Sequence, residues 1–366
     1  MKAGLAVTKI DQLRPLLEKH HLRLVSAQHL YNLIPFVREQ ERAAVKAEVA
    51  GRELSVIFDR STRLSEAVVI IVRFAQYDEE RRLFVIKQRI VSMQMLAKSL
   101  NAQELARELV VCLANELQVT PYQLLAVMRD GVAVNGAALA HLKFVLPTFL
   151  DVTCFAHTID NVGKHFDLPT LDAFSELWVR LFSHSPAAKL RWQQLTGKSM
   201  RSYSPTRWWS RWEVHNQCLE YFGDIELFLQ QHADMGGKTC EKLVAMFADE
   251  ESLKRLKVEL AIVVDLGVHL VKATYLLEGD GPLFLKAYEI LQGVSHAIGR
   301  CQYTNLHRVC SNIAADQDEE AVLKGHAKAG VRDAVRYFLR KFNVEHVQVV
   351  RAFKAARLQG SCHLLA

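Results

Sequence analysis

The chain has 366 residues, half of them apolar and 23% charged, an ordinary globular balance in which burying a core is no difficulty. A net charge of +6 and a pI near 8.9 permit a polyanionic partner without requiring one. Seven scattered cysteines, odd in number and without a Cys-x-x-Cys pair, exclude a disulfide scaffold and a zinc ribbon and point to a reducing, intracellular compartment. The N-terminal stretch lacks a signal-peptide core, and no apolar run approaches the length of a membrane span, so no membrane association is expected.

Residues 8 to 50 read as a helical lead-in, amphipathic around Leu13, Leu16 and Leu17, then densely charged and ending at Gly51. Strand texture follows. The runs LSVIF, AVVIIVRF (Ala67 to Phe74) and LFVIKQRI (Leu83 to Ile90) are β-branched and separated by short polar turns, which predicts an antiparallel meander. Asn101 and Glu104 have capping-box spacing, and Leu105, Leu109, Cys112, Leu113 and Leu117 then share one helical face. A helix of that length can cross the sheet, so the next strand, LLAVMRD, can lie parallel to the first. A helix over Ala133 to Leu146, a turn at Pro147, and a strand over Val152 to Phe155 complete this region. That last strand is expected to deliver Cys154 and His157.

Beyond His157 the pattern is helical to about residue 300, with periodic segments at 171 to 182, 208 to 231, 241 to 248, a long one ending at the Gly279 to Pro282 turn, and another over Leu283 to Gly293. The tail starts in the acidic loop DQDEE. It continues as a basic amphipathic helix with Val331, Val335, Phe338 and Phe342 on one stripe, and a second basic segment stops at Gly360. The expected divisions are a helical lead-in (1–50), an α/β core (51–165), an all-helical region (166–300) and a basic helical tail (301–366).

Two carboxylates stand out. Asp59 closes the first strand and Asp130 the fourth, followed at once by Gly131. If the strands are parallel neighbours, both acids emerge at one sheet edge, where α/β proteins place metal ligands and catalytic acids. The bland alternative is that each merely starts a polar turn. Cys154 and His157 invite a zinc reading, but two further ligands are not signalled, and a thiol on a strand is more often a small core residue. All five tryptophans lie between Trp178 and Trp212, and SPTRWWSRWE interleaves three of them with Arg207 and Arg211. That composition suits stacking on unpaired bases and holding phosphates, and equally suits anchoring helices to one another.

Four motifs in order carry a resemblance: Asp59 with Ser61 and Thr62; Asp130-Gly131 with Asn135; Cys154-x-x-His157-Thr158 with Asn161; and Ser204-Pro205-Thr206-Arg207-Trp208. In this order the chain resembles the hAT superfamily of DNA transposases over roughly residues 10 to 300. The resemblance implies an RNase H-like mixed sheet, three antiparallel strands followed by parallel ones, interrupted by a large all-α insertion. It implies Asp59 and Asp130 as catalytic ligands of Mg²⁺ or Mn²⁺, since hard cations take oxygen donors and paired metals stabilise both the entering and leaving oxygens at phosphorus. It also implies DNA as partner, contacted by His157, Arg207, Trp208, Trp209 and Arg211, with Cys154 and Asn135 structural near the site, and a nuclear location.

The family's third acid, its C-terminal dimerisation motif and its N-terminal zinc module have no counterpart here. Glu320 and Asp333 match no motif for the missing ligand. The expectation is a transposase-derived nucleic-acid-binding protein, truncated in the family's C-terminal half, with weak or absent catalysis and weakened homo-oligomerisation. The alternatives are an active metal-dependent enzyme with an unrecognised third carboxylate, and a protein-interaction scaffold or decayed reading frame.

Overall fold

The computed structural model describes residues 9–21, 25–61, 66–201, 207–231, 237–278, 283–300 and 302–363. Thr62, the segment Ser204 to Thr206 and the turn Gly279 to Pro282, all named above, lie outside them. The chain divides into two compact units, residues 1–152 and 153–366.

The first unit runs α1 (Ile10–Glu18), α2 (Ala27–Val49), β1 (Leu54–Ser61), β2 (Glu66–Asp78), β3 (Leu83–Leu96), α3 (Ala102–Val110), β4 (Leu124–Arg129), α4 (Ala133–Leu142) and β5 (Leu150–Thr153), the last straddling the boundary. Its mixed sheet has the order β3-β2-β1-β4-β5. β1 pairs antiparallel with β2, β2 antiparallel with β3, and β1 parallel with β4. Parallel pairing needs a crossover, and here the β2–β3 hairpin and α3 supply it. The hairpin turns at residues 79 to 82, where Asp78 Oδ1 accepts from the Arg81 amide at 3.0 Å and Arg82 takes a positive φ of 53°.

The expected capping box starts α3. Asn101 Oδ1 accepts from the Glu104 amide at 2.9 Å, and Glu104 Oε2 accepts from the Asn101 amide at 3.0 Å. α3 then runs on as a π-helical turn over Val111–Glu116, which keeps Cys112 and Leu113 in the core. Leu54, Val56 and Phe58 of β1, Val68, Ile70 and Val72 of β2, and Val127 of β4 meet Leu105, Leu109 and Leu139 in that core. Alternation along the strands sends the other residues to the opposite face. There Phe84, Ile90, Met93 and Met95 of β3 are exposed, and so is Asp59.

The last strand lies two residues earlier than expected. β5 ends at Thr153, Cys154 is the residue before α5 (Phe155–Val162), and His157 sits on that helix. Phe155, Ile159 and Val162 recur at helical spacing and are all buried, so a helix buries what a longer strand would have exposed.

The second unit is helical throughout its described residues: α5, α6 (Pro169–His184), α7 (Pro186–Thr196), α8 (Trp208–Glu220), α9 (Phe222–Gln231), α10 (Lys238–Ala248), α11 (Glu250–Leu277), α12 (Phe284–Arg300), α13 (Thr304–Ile313), α14 (Gln317–Arg340) and α15 (Val347–His363). The expected helix over 208 to 231 breaks at Tyr221. α11 is the axis, packed against α5, α6, α8, α12, α13 and α14. Its middle is buried on every side, from Val258 to Gly267, and Leu256, Val258, Leu260, Ala261, Ile262 and Leu266 are wholly buried. It is the one helix among the described residues long and apolar enough to cross a membrane, and 67% of its most apolar window is buried within the chain, as for a core helix.

Two acids on α11 are buried and each satisfies the start of another helix. Glu259 Oε2 accepts from the Leu171 amide of α6 at 2.8 Å, and its Oε1 lies 2.9 Å from His326 Nε2 of α14. Asp265 accepts from the Asn305 and Leu306 amides of α13 at 3.1 and 3.0 Å and from Asn305 Nδ2 at 2.7 Å. A helix leaves its first amides without internal partners, and a carboxylate there satisfies them and complements the dipole. Asp265→Ala is therefore expected to lower unfolding stability by about 2–3 kcal/mol, from a lost cap and orphaned buried donors. Denaturant melts would give the loss, and amide exchange should speed up first in α13.

Candidate functional site

The parallel pair β1 and β4 brings the two candidate acids together. Val56 lies opposite Val127 and Ile57 opposite Met128. The ladder ends there, and the same offset carried two residues further puts Asp130, the first residue past β4, toward the level of Asp59. Asp59 is exposed, with Oδ1 accepting from the Arg60 amide at 2.9 Å. Asp130 is half-buried, and its Oδ1 accepts from the Val132 amide at 3.1 Å and from Asn135 Nδ2 at 2.6 Å. The first of these turns the chain into α4, whose N-cap residue Val132 has no capping side chain of its own.

Asn135, 1% exposed, links Asp130 to a cation that sequence reasoning passed over. Its Oδ1 accepts from Arg60 Nη1 at 3.4 Å. Arg60 in turn donates Nε to Glu66 Oε1 at 2.6 Å and Nη2 to the Leu100 carbonyl at 3.1 Å, while Glu66 Oε2 accepts from the Leu100 amide at 3.0 Å. Burial pushes the Glu66 carboxyl up. The hydrogen bonds from Ser99 and Arg60, the Arg60 charge and the Leu100 amide outweigh that and hold it below the usual range. The one available clue was position: Arg60 follows Asp59 and Glu66 opens the next strand. Beside this network Arg129 grips Asp151 of β5 through Nε and Nη2 at 3.0 and 3.1 Å. It also donates Nη1 to the Asp130 carbonyl at 3.0 Å, which fixes the chain where Asp130 emerges.

Whether this set fits a pair of catalytic divalent ions follows from its donors. Asp59 and Asp130 offer two carboxylates, with one Asp130 oxygen already accepting two hydrogen bonds. The nearby buried acid, Glu66, is neutralised by Arg60. Among the described residues no three His, Cys, Asp or Glu side chains gather into a metal-binding group. Two carboxylates do not supply the oxygens that a two-metal centre needs, so no chemical step is derived through one.

The other expected site residues belong to the second unit. Cys154 is half-buried, its carbonyl accepting from the Thr158 hydroxyl at 3.1 Å, and His157 is half-buried on α5. Trp208 is 7% exposed and packs on Phe166 at 5.1 Å between ring centres; its indole lies directly against Gly163. Trp209 stands beside Tyr275 at 5.3 Å, its amide donating to the buried Asp160 at 3.2 Å. Trp212 lies against Gly267. Trp178 and Trp192 are wholly buried with Phe182 and Phe228. Arg207 Nη1 donates to Glu278 at 3.2 Å, and Arg211 is paired with Asp172. The rings serve helix packing and the guanidinium groups are held by acids.

Arg207, Trp208 and Arg211 help to wall a cavity of about 210 Å³ that is also lined by Lys164, Phe166, Asp172 and His215, among others. His215 is 3% exposed and neutral: burial first, then the Arg211 charge, push its pKa down to about 3. Its Nε2 lies 2.9 Å from Ser175 Oγ, whose hydroxyl proton is committed to the Leu171 carbonyl at 2.6 Å. Ser175 therefore accepts, Nε2 carries the ring proton, and Nδ1 is left as a bare acceptor. Nothing in the local sequence singled out His215.

No protein-family model matches the chain, and no curated protein matches it.

Proposed function

We propose that the chain is a transposase-derived nucleic-acid-binding protein of hAT type, built on an RNase H-like core, with weak or absent phosphodiester chemistry. The observation that carries the reading is the parallel register of β1 and β4, which brings Asp59, inside β1, toward the level of Asp130, just past the end of β4, with no three-ligand group around them among the described residues. The strand order, with β1 between an antiparallel and a parallel neighbour, supports the same core. A nuclear location belongs to this reading.

DNA contact has a natural place on α14. Lys328, Arg332, Arg336 and Arg340 recur every fourth residue and are all exposed, a stripe of positive charge about 18 Å long. Arg336 is tied only to the equally exposed Asp333, and such surface pairs are weak enough for phosphates to compete. Fluorescence anisotropy with duplex DNA is expected to show affinity falling steeply with salt. Arg332→Glu/Arg336→Glu should weaken binding about tenfold or more and lower the salt slope by about two. No binding at low salt would leave the protein-interaction scaffold as the better account.

The competing reading is an active enzyme in which Asp59 and Asp130 hold Mg²⁺ or Mn²⁺ with a further acid. Metal-dependent nicking of supercoiled plasmid, lost in Asp130→Ala, would establish it. The proposal expects no nicking above background.

A further inference from the structure

We propose that the chain forms a two-fold dimer in which the exposed N-terminal half of α2 from each copy covers the bare face of the sheet in the other. The inference goes beyond the DNA-binding reading and does not rest on it.

The first unit carries two large apolar surfaces that its own described residues leave uncovered. One is the sheet face turned away from the core. Cross-strand pairing lines up Ile71 with Ile90, Val69 with Met93 and Ala67 with Met95, and the register shift at Val91 keeps both methionines on the side of Ile90. Phe84, Ile90, Met93 and Met95 are 61–70% exposed. Strands that are apolar on both faces are normally covered on both.

The other surface is on α2. Every residue from Tyr31 to Glu41 is exposed, and Leu33, Ile34 and Val37 form one stripe at helical spacing, flanked by Phe36. Neither this stripe nor the β3 face carries a charged side chain, and the centre of an interface is likewise depleted of charge.

The two surfaces cannot meet within one chain. The C-terminal half of α2 is fixed on the core side of the sheet, where Val45 and Val49 join the same cluster as Leu105 and Leu109. Glu48 accepts from Arg89 Nε and Nη2 at 2.8 and 2.9 Å, and Arg89 lies opposite the buried Val72. A continuous helix anchored there cannot carry its N-terminal half around to the opposite face.

A second copy removes the obstacle. An apolar helix stripe laid on an apolar sheet face is the ordinary way in which both elements become buried. Because each chain carries one of each, a two-fold axis forms both contacts at once and closes the assembly. The large apolar side chains of the two surfaces expose about 1,000 Å² per copy, above the roughly 800 Å² that each partner gives to a standard interface.

Light scattering on the full chain is expected to give twice the chain mass of 41.5 kDa. Val37→Arg on α2 and Ile90→Glu on the sheet face should each raise the dimer dissociation constant about a hundredfold or more, since symmetry spoils both contacts at once. Both positions are exposed, so thermal melts should show the fold unchanged; Met93→Glu takes the place of Ile90→Glu if that variant does not fold. The decisive sample is the two variants mixed. In a mixed dimer one contact is native and the other sets the introduced arginine against the introduced glutamate, so the dimer should return. Recovery on mixing supports this arrangement. A monomer at about 0.1 mM would overturn it and leave the face to another part of the chain or to a different protein. A dimer that neither substitution affects would overturn it too, and one lost only in Ile90→Glu would mean sheet packed on sheet instead.

Discussion

Arg60→Met is expected to lower unfolding stability by about 3–5 kcal/mol, because it strands the Glu66 carboxylate, 4% exposed, without its counter-charge. The pH dependence should also weaken. In the unmodified chain the folded Glu66 carboxyl lies below its ordinary value, so its contribution is fully present above about pH 4.3 and is lost as pH falls through the lowered folded value. Without Arg60 its hydrogen bond and charge are gone while those of Ser99 and the Leu100 amide remain, so the folded carboxyl rises toward its unfolded value and the acid-side loss of stability shrinks. Urea melts at several pH values measure both effects. Arg60→Met/Glu66→Leu should recover most of the loss, since a buried pair replaced by apolar groups of similar volume is often near neutral. If Arg60→Met alone cost under about 1 kcal/mol, the desolvated pair described here would be wrong. The same variant removes the link to Asn135, so the position of Asp130 should loosen with it.

The second large effect concerns two glycines on which tryptophans rest. A Cβ added at Gly163 would fall inside the Trp208 indole, and one at Gly267 would fall against Trp212. Gly267 is mid-helix in α11, where alanine would otherwise gain about 1 kcal/mol in helix propensity. Overpacking a rigid ring against a buried backbone costs more than that gain. Gly267→Ala is therefore expected to destabilise by about 2–3 kcal/mol net, and Gly163→Ala by a similar amount. Gly293, mid-helix in α12 with nothing within 4 Å of the added Cβ, is the control. Gly293→Ala should stabilise by about 0.5–1 kcal/mol. Thermal melts of the three variants would decide, and a stabilised Gly267→Ala would mean that Trp212 does not pack as described.

Local rules carried much of the fold. The apolar, β-branched runs Leu54 to Phe58, Ala67 to Phe74 and Leu83 to Ile90 announced strands, and the Asn101 and Glu104 spacing announced the start of α3. These signals are legible because they depend on neighbours within a turn or two. The element boundaries were less so. The sequence reading puts a strand over Val152 to Phe155 that delivers Cys154 and His157, while the burial of Phe155, Ile159 and Val162 within the second unit makes the stretch from Phe155 a helix.

The candidate sites divide in the same way. Asp130 is read from sequence as ending a strand, and β4 does stop one residue before it. Asp59 is read the same way but lies inside β1, because Arg60 and Ser61 go on pairing with β2. That the two acids come near one level depends on a parallel register between segments some seventy residues apart, which no local pattern encodes. The pairing of Arg60 with Glu66, and the link through Asn135 to Asp130, depended on three elements converging.

Sequence by itself determined an α/β region followed by a helical one, the first four strands, most of the helices and the acid that follows β4. Only the tertiary structure decided that the interleaved tryptophans and arginines are packed and paired, with Trp208 on Gly163, Arg207 on Glu278 and Arg211 on Asp172, and that His215 faces a cavity with one nitrogen unsatisfied. The physical reason is that burial and partner choice are set by what packs across a helix, and an aromatic or charged side chain carries the same local pattern whether solvent or another helix lies opposite.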